Sequence, residues 1–96
     1  MGNILFAWDS RKAASNRGKH GIGFEEAQTV FLDEGARLMD DPDQSEDEDR
    51  FVLLGFSLQA RCLVVVHCYR EGDAVIRLIS ARRATPREEA EYWSFQ

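Results

Sequence analysis

After Arg50 the chain becomes three apolar segments joined by short polar turns, and this pattern leaves few folds open. Residues 50–56, 61–69 and 74–82 are nearly continuous apolar runs or alternate with period two, as strands with a buried face do. The intervening turns, 57–60 and 70–73, are too short for a crossover connection. Three strands joined in this way form an antiparallel meander.

The flanks read as helices. Residues 4–8 form a short strand, and Asp9 is placed to cap a helix over 10–19 that ends at Gly18 and Gly21. Phe24, Ala27, Val30 and Phe31 recur at helical spacing, which predicts a second, amphipathic helix ending near 33–35, with Glu25, Glu26 and Gln28 outside. Residues 36–40 read as a short strand and 41–49 as an acidic loop, where Pro42 excludes a central strand or helix. Thr85, Pro86 and Glu88 spell an N-cap, a first-turn proline and a capping-box acid for a last helix reaching Tyr92–Trp93. The expected class is α+β: N-terminal helices, an antiparallel β-sheet meander and a C-terminal helix. At 96 residues, 44% of them apolar, residues 1–96 make one domain with enough apolar surface for a core.

Several function classes drop out. The longest apolar run, residues 62–69, is interrupted by His67 and is far shorter than the roughly 20 residues of a membrane span. The first residues carry neither a basic region nor a long apolar stretch, and Phe6 stands where a myristoylation motif wants Ser or Thr. The expectation is an intracellular, cytoplasmic protein without membrane attachment. Cys62 and Cys68 are then reduced and structural, pointing to one face of a strand. With His67 on the other face they do not make a zinc site, and the acidic loop lacks the glycine and spacing of a calcium loop. No metal or cofactor is expected.

The net charge of −5 speaks against nucleic acid until its distribution is considered. Residues 1–23, 24–50, 51–87 and 88–96 carry +3, −9, +4 and −3, so two basic blocks flank an acidic middle. Screening beyond about 10 Å lets a basic surface act locally on an acidic protein. The plainer interpretation is that each block is a solvated face.

Two groups of residues could carry chemistry. Lys12, Ser15, Asn16 and Lys19 fall on one helix face, with His20 at its end. In the meander, if Tyr69 opposes Ala74, then Arg61 opposes Arg82. Arg61, Leu63, Val65, His67 and Tyr69 then share a face with Ile76, Leu78, Ser80 and Arg82, joined by Arg50, Val52, Leu54 and Phe56. A slip of one residue substitutes Arg77 and Arg83. Each guanidinium is a planar fork suited to phosphate, although the same arginines could simply pair with acids. His67 and His20 suit proton transfer near neutral pH, against the ordinary roles of a core histidine and of a cation at a helix C-terminus. The residues 40–49 are a charge run, and no acyl-transfer nucleophile motif is present.

Taken together, the spaced residues Phe6, Trp8-Asp9, Lys12, Asn16, Lys19-His20-Gly21-Ile22 and Phe24-Glu25-Glu26-Ala27 resemble the start of BrnT-type toxins. The likeness continues through Asp41-Pro42-Asp43, Ser45-Glu46-Asp47-Glu48, Arg50-Phe51, Gly55, Arg61, Leu63-Val64-Val65-Val66-His67, then Arg77, Ile79-Ser80-Ala81-Arg82-Arg83-Ala84-Thr85, Glu88 and Tyr92. It covers nearly the whole chain in order. Where this chain has Gln44, many relatives carry histidine. The resemblance implies a type II toxin–antitoxin system and a RelE-like, metal-independent endoribonuclease. Such a toxin cleaves RNA by 2′-hydroxyl attack, inhibits translation and is neutralised by a BrnA-like ribbon-helix-helix antitoxin, through which alone it reaches DNA. On that reading Arg61, Arg82 and Arg83 clamp phosphate, with Arg77 as the alternative should the register slip. Lys12, Asn16 and Lys19 contact RNA, and His20 and His67 are the proton-transfer candidates. Two other functions compete: a non-catalytic module whose basic face docks an acidic partner, and a metal-dependent nuclease built on the acidic loop.

Overall fold

A computed structural model describes residues 4–43 and 49–96. Its centre is a five-stranded sheet in the order β1-β5-β4-β3-β2. β1 is Leu5–Ala7, β2 Arg37–Asp40, β3 Phe51–Phe56, β4 Cys62–Arg70 and β5 Val75–Arg83. The meander β3–β4–β5 is antiparallel as expected, and β2 joins it antiparallel at one edge. At the other edge β1 lies parallel to β5, so the sheet is mixed.

The helices form for the reasons visible in the sequence. Asp9 caps α1 (Ser10–His20) by accepting hydrogen bonds from the backbone N–H groups of Arg11 and Lys12 at 2.8 and 3.1 Å. Gly21 ends it in the left-handed conformation, φ 72°, donating to the Arg17 carbonyl. α2 (Phe24–Ala27) tightens into a 3-10 segment, Gln28–Leu32, instead of continuing as one helix. α3 (Pro86–Ser94) has the full capping box, with Thr85 and Glu88 each bonding the other's backbone.

The sheet divides two packing environments. On the first face, α1, α2 and the 3-10 segment cover Leu53, Leu63, Val65, Ile76, Leu78 and Ala81, burying Ile22, Phe24, Ala27 and Val30 completely. α1 is too polar to hold itself there by hydrophobic burial. Asn16 fastens it instead: its side-chain amide donates to the carbonyls of Ile22 and Ala81 and accepts from the Ala81 N–H, at 2.8–3.0 Å. On the second face α3 covers one end, where Tyr92 packs with Leu54, Cys62 and Val64. The Tyr92 hydroxyl donates to Asp33, which also accepts from the backbone N–H groups of Phe56 and Gly35. Gly55 lies in this junction, where a Cβ would come within 2.8 Å of that of Ala36.

The register corrects the expected one. β4 and β5 pair with Tyr69 opposite Ile76, and the pairing shifts by one between Val66 and His67, leaving Ile79 without an opposite residue. Neither pairing expected from sequence occurs, but the bulge combines the two face assignments they implied. Ile76 and Leu78 share a face with His67 and Tyr69, but beyond the bulge Ala81 and Arg83 do so, while Ser80 and Arg82 turn to the other face with Val66 and Val64. Across the first turn, Ser57 closes on Arg61 around residues 58–60, so Phe51, Leu53 and Gly55 share the first face, and Val52, Leu54 and Phe56 do not. Cys62 and Cys68 are free, buried and of one parity on the second face, as expected. Burial pushes the Cys62 thiol up to about 11.

Candidate functional site

One end of the sheet gathers charge on the helix-covered face. There β3 ends, β4 begins and β5 ends. Arg61 points to α2 and grips Glu26 with both prongs of its guanidinium: Nε donates to Oε2 at 2.9 Å and Nη2 donates to Oε1. Ser57 donates to the same carboxylate at 2.7 Å. Glu26 is only 7% exposed, and these donors, with the positive charge of Arg83 nearby, hold it below the usual carboxylate range despite burial. Arg83 itself is exposed, directly across the ladder from Leu63. Beside this group Arg17 of α1 pairs with Glu25 at 3.2 Å.

α1 leads to the same end. Asp9 feels the charge of Arg77, and Asn16 bonds Ala81, so the helix advances along β5. Lys19 and His20, one turn past Asn16, are exposed at its close, and Lys12 is exposed nearer its start. The assembled rim is cationic and exposed, with Glu26 clamped beneath it and Glu25 paired with Arg17 at its side.

The sequence brought four other residues to this site that the fold does not leave there. Arg82 lies on the opposite face, where its two terminal nitrogens grip Glu88 at 2.8 Å each. Arg61 and Arg82 therefore do not converge, because the bulge at Ile79 turns them apart. Arg77 is also on the opposite face, across from Cys68. His67 is completely buried among Phe31, Phe51 and Tyr69, and burial pushes its imidazole down. A polymer outside the fold does not reach it. Asn16, 6% exposed, has its amide turned inward on the peptide groups of Ala81 and Ile22, so it serves the fold and not an RNA surface. The residue missed from sequence is Glu26, which looked like one more solvent-facing acid of an amphipathic helix. The signal for it was Arg61: an arginine in a strand beside a buried face requires a carboxylate.

The second face carries a different feature. Alongside α3 lies a groove of about 490 Å³, floored by Val52, Leu54, Val64, Val66 and Ile79 and edged by acids. Gln44 and most of the acidic loop lie outside the described residues. Among the described residues, no group of three or more His, Cys, Asp or Glu side chains is arranged to hold a metal ion, and no helix is long and apolar enough to cross a membrane.

A family model described as the ribonuclease toxin BrnT of type II toxin–antitoxin systems matches residues 8–88. The chain belongs to the BrnT family. Among solved structures it is similar to the ribonuclease toxin BrnT of Brucella abortus, whose crystal structure extends to 1.1 Å resolution. The two share 21% sequence identity and a TM-score of 0.64 over 86% of this chain and 99% of that one. At that identity the likeness establishes the α+β fold. No curated protein matches the chain. As a BrnT-family member the chain is of the ribonuclease toxin class, and the match spans both arginine pairs, α1 and the whole meander.

Proposed function

We propose that the chain is the toxin of a type II toxin–antitoxin module: a metal-independent endoribonuclease that inhibits translation and is neutralised by a BrnA-like ribbon-helix-helix antitoxin. The observation that supports a site at the cationic rim is the juxtaposition of Arg61 and Arg83 on one face, at the end where α1 delivers Lys19 and His20. Arg83, exposed and among the described residues without a bidentate carboxylate of its own, binds the scissile phosphate. Arg61 joins it by exchanging one prong from Glu26 to a phosphate oxygen. Glu26 and Ser57 keep that guanidinium aimed while it does so. The exposed imidazole of His20 takes the ribose 2′-hydroxyl proton. The oxygen then attacks the adjacent phosphorus, the bond to the 5′-oxygen breaks, and that oxygen leaves with a proton from solvent or from the imidazolium. Two fixed cations meet the charge that develops on the phosphorane, the kind of preorganised stabilisation that carries most of the work in such reactions. Lys19 and Lys12 hold the neighbouring backbone.

The test is incubation of the purified, antitoxin-free chain with RNA in EDTA, beside Arg83→Ala. The expected result is cleavage in EDTA by the parent and a loss of about 10²–10³ in rate for the variant, typical of removing one preorganised donor. Cleavage that EDTA abolishes would restore the metal-dependent reading. A folded parent that leaves RNA intact would turn the interpretation to a binding module.

A further inference from the structure

We propose that the groove on the second face is a docking site for one protein segment, amphipathic and cationic: aliphatic side chains along the side that enters, lysine or arginine along its flanks. The proposal rests on the toxin–antitoxin reading only in taking the antitoxin as the natural source of that segment. Three features of the groove carry it.

The floor is aliphatic and continuous. Val52 opposes Val66 and Leu54 opposes Val64 across the ladder, so their side chains form two adjacent rows. The bulge adds a third row, because the extra residue lets Ile79 and Ser80 both border the groove. α3 covers the Tyr92 end of this face and stops short of Val66, which stays partly exposed.

The rim is acidic on two sides. Asp41 and Asp43 edge it just past the end of β2, and Glu88 and Glu91 edge it from α3. Arg82 and Arg50 also border it, so among the described residues four carboxylates stand against two guanidinium groups. Arg82 is already held by Glu88. An excess of negative charge around an apolar floor repels a phosphodiester backbone and attracts a basic, aliphatic-faced peptide. A volume of about 490 Å³ suits a few aliphatic side chains inserted from one side of a helix or strand.

The position is separate from the cationic rim. The sheet stands between Arg83, on the helix-covered face, and the groove. The two faces therefore sort two partners by charge, and a segment seated in the groove leaves the cationic rim uncovered by its own bulk.

The probe is a fluorescein-labelled synthetic peptide of about four helical turns, leucine at i, i+3, i+4 and i+7 positions and lysine elsewhere. A scrambled peptide of the same composition is its partner. Binding is followed by fluorescence anisotropy at physiological ionic strength. The patterned peptide is expected to bind the parent chain, and Asp43→Lys/Glu91→Lys to weaken it about tenfold or more. Glu34→Lys/Glu71→Lys, the same charge change away from the groove, is expected to leave binding unaltered. Val66→Asp, which puts a charge on the floor, should weaken it as well. Circular dichroism establishes that each variant is folded. No binding, equal binding of the scrambled peptide, or equal loss in the control variant would overturn the proposal. So would sedimentation showing that the parent alone dimerises through Asp43 and Glu91, since a second copy would then be the occupant. RNA cleavage by the same free proteins is read in parallel. Peptide capture without cleavage sinks the ribonuclease reading and leaves the groove standing, and the reverse result separates them the other way.

Discussion

Two bidentate arginine–glutamate pairs stand at the same end of this sheet, on opposite faces. Arg61 with Glu26 lies under α2, on a carboxylate only 7% exposed that Ser57 also grips. Arg82 with Glu88 lies at the mouth of the groove, and Glu88 also closes the cap of α3 through the Thr85 N–H. The chemistry of the two pairs is the same, and their surroundings differ. Beside the first pair stand Arg83 and the end of α1, a cationic surface whose neighbouring acid, Glu25, is paired with Arg17. Beside the second stand, among the described residues, three further carboxylates and an aliphatic floor. Local pairing therefore does not assign an arginine its role. The net charge of what surrounds the pair does, and it is the basis on which we propose phosphate for one face and a cationic peptide for the other.

The sharpest way to break this contrast is kinetic. Arg61→Ala is expected to lower RNA cleavage by about 10²–10³, because it removes a donor that meets developing charge. Arg82→Ala, adjusted for its folded fraction, should stay within a few-fold of the parent. Single-turnover rates on a defined RNA decide it. Equal losses for both arginines would mean that the substrate crosses the sheet edge and that the faces do not sort their ligands.

The next effect is on stability and concerns how the cationic rim is built. Asn16→Ala leaves the buried N–H and carbonyl of Ala81, and the carbonyl of Ile22, without side-chain partners. Each such group costs about 1–3 kcal/mol when orphaned, with relaxation softening the total, so a loss of about 2–4 kcal/mol is expected in urea unfolding. A loss below about 0.5 kcal/mol, with cleavage impaired, would return Asn16 to the RNA surface.

These particular residues show what the sequence could convey. Element types followed from strong local signals: Asp9 and Gly21 bracketing α1, the Thr85–Glu88 capping box, and period-two apolarity in the meander. The cationic rim was half legible, since Arg61, Arg83, Lys19 and His20 were all singled out. Whether Arg82 joins them depended on parity, and parity is fixed by turn geometry and by the bulge. Glu71, Gly72 and Asp73 all take positive φ, so that the turn pairs Tyr69 with Ile76, two residues beyond the tight alternative. No periodicity announces an extra residue at Ile79. β1 pairing parallel to β5 is likewise a long-range choice, as three residues carry no sign of their partner. His67 was ambiguous because an imidazole in an apolar strand fits a cage as well as a site, and only Phe31, from a distant segment, completes the cage.

A pH titration tests that cage. His67 is buried and its imidazole is pushed below the ordinary value of 6.5. The unfolded chain therefore binds a proton below about 6.5 that the folded chain refuses, so stability falls as pH drops through that value, by at most about 1.4 kcal/mol per unit. His67→Phe is expected to flatten this part of the profile and to leave RNA cleavage near the parent rate. A profile unchanged by the substitution would mean that the imidazole titrates freely, and the cage would then be open.

The smallest effect separates the two glutamates. Glu88 is held down to about 2 by Arg82 and the Thr85 cap, against an ordinary value of 4.5. A depressed carboxylate contributes stability that is complete above 4.5 and is lost as pH falls toward 2, so Glu88→Gln should remove slope from that acid window. At neutral pH the same change should cost less than about 1 kcal/mol, because Arg82 and Glu88 are 41% and 29% exposed and water screens them. Glu26→Gln is expected to cost more at neutral pH, about 1–3 kcal/mol, since Arg61 and Ser57 then face a neutral amide on an 8% exposed side chain. Thermal unfolding of both variants at neutral pH and at pH 3 gives the ratio directly. If Glu88→Gln proved the costlier at neutral pH, the groove-side pair would be the structural one, and Glu26 would not be the clamp that keeps Arg61 aimed at a phosphate.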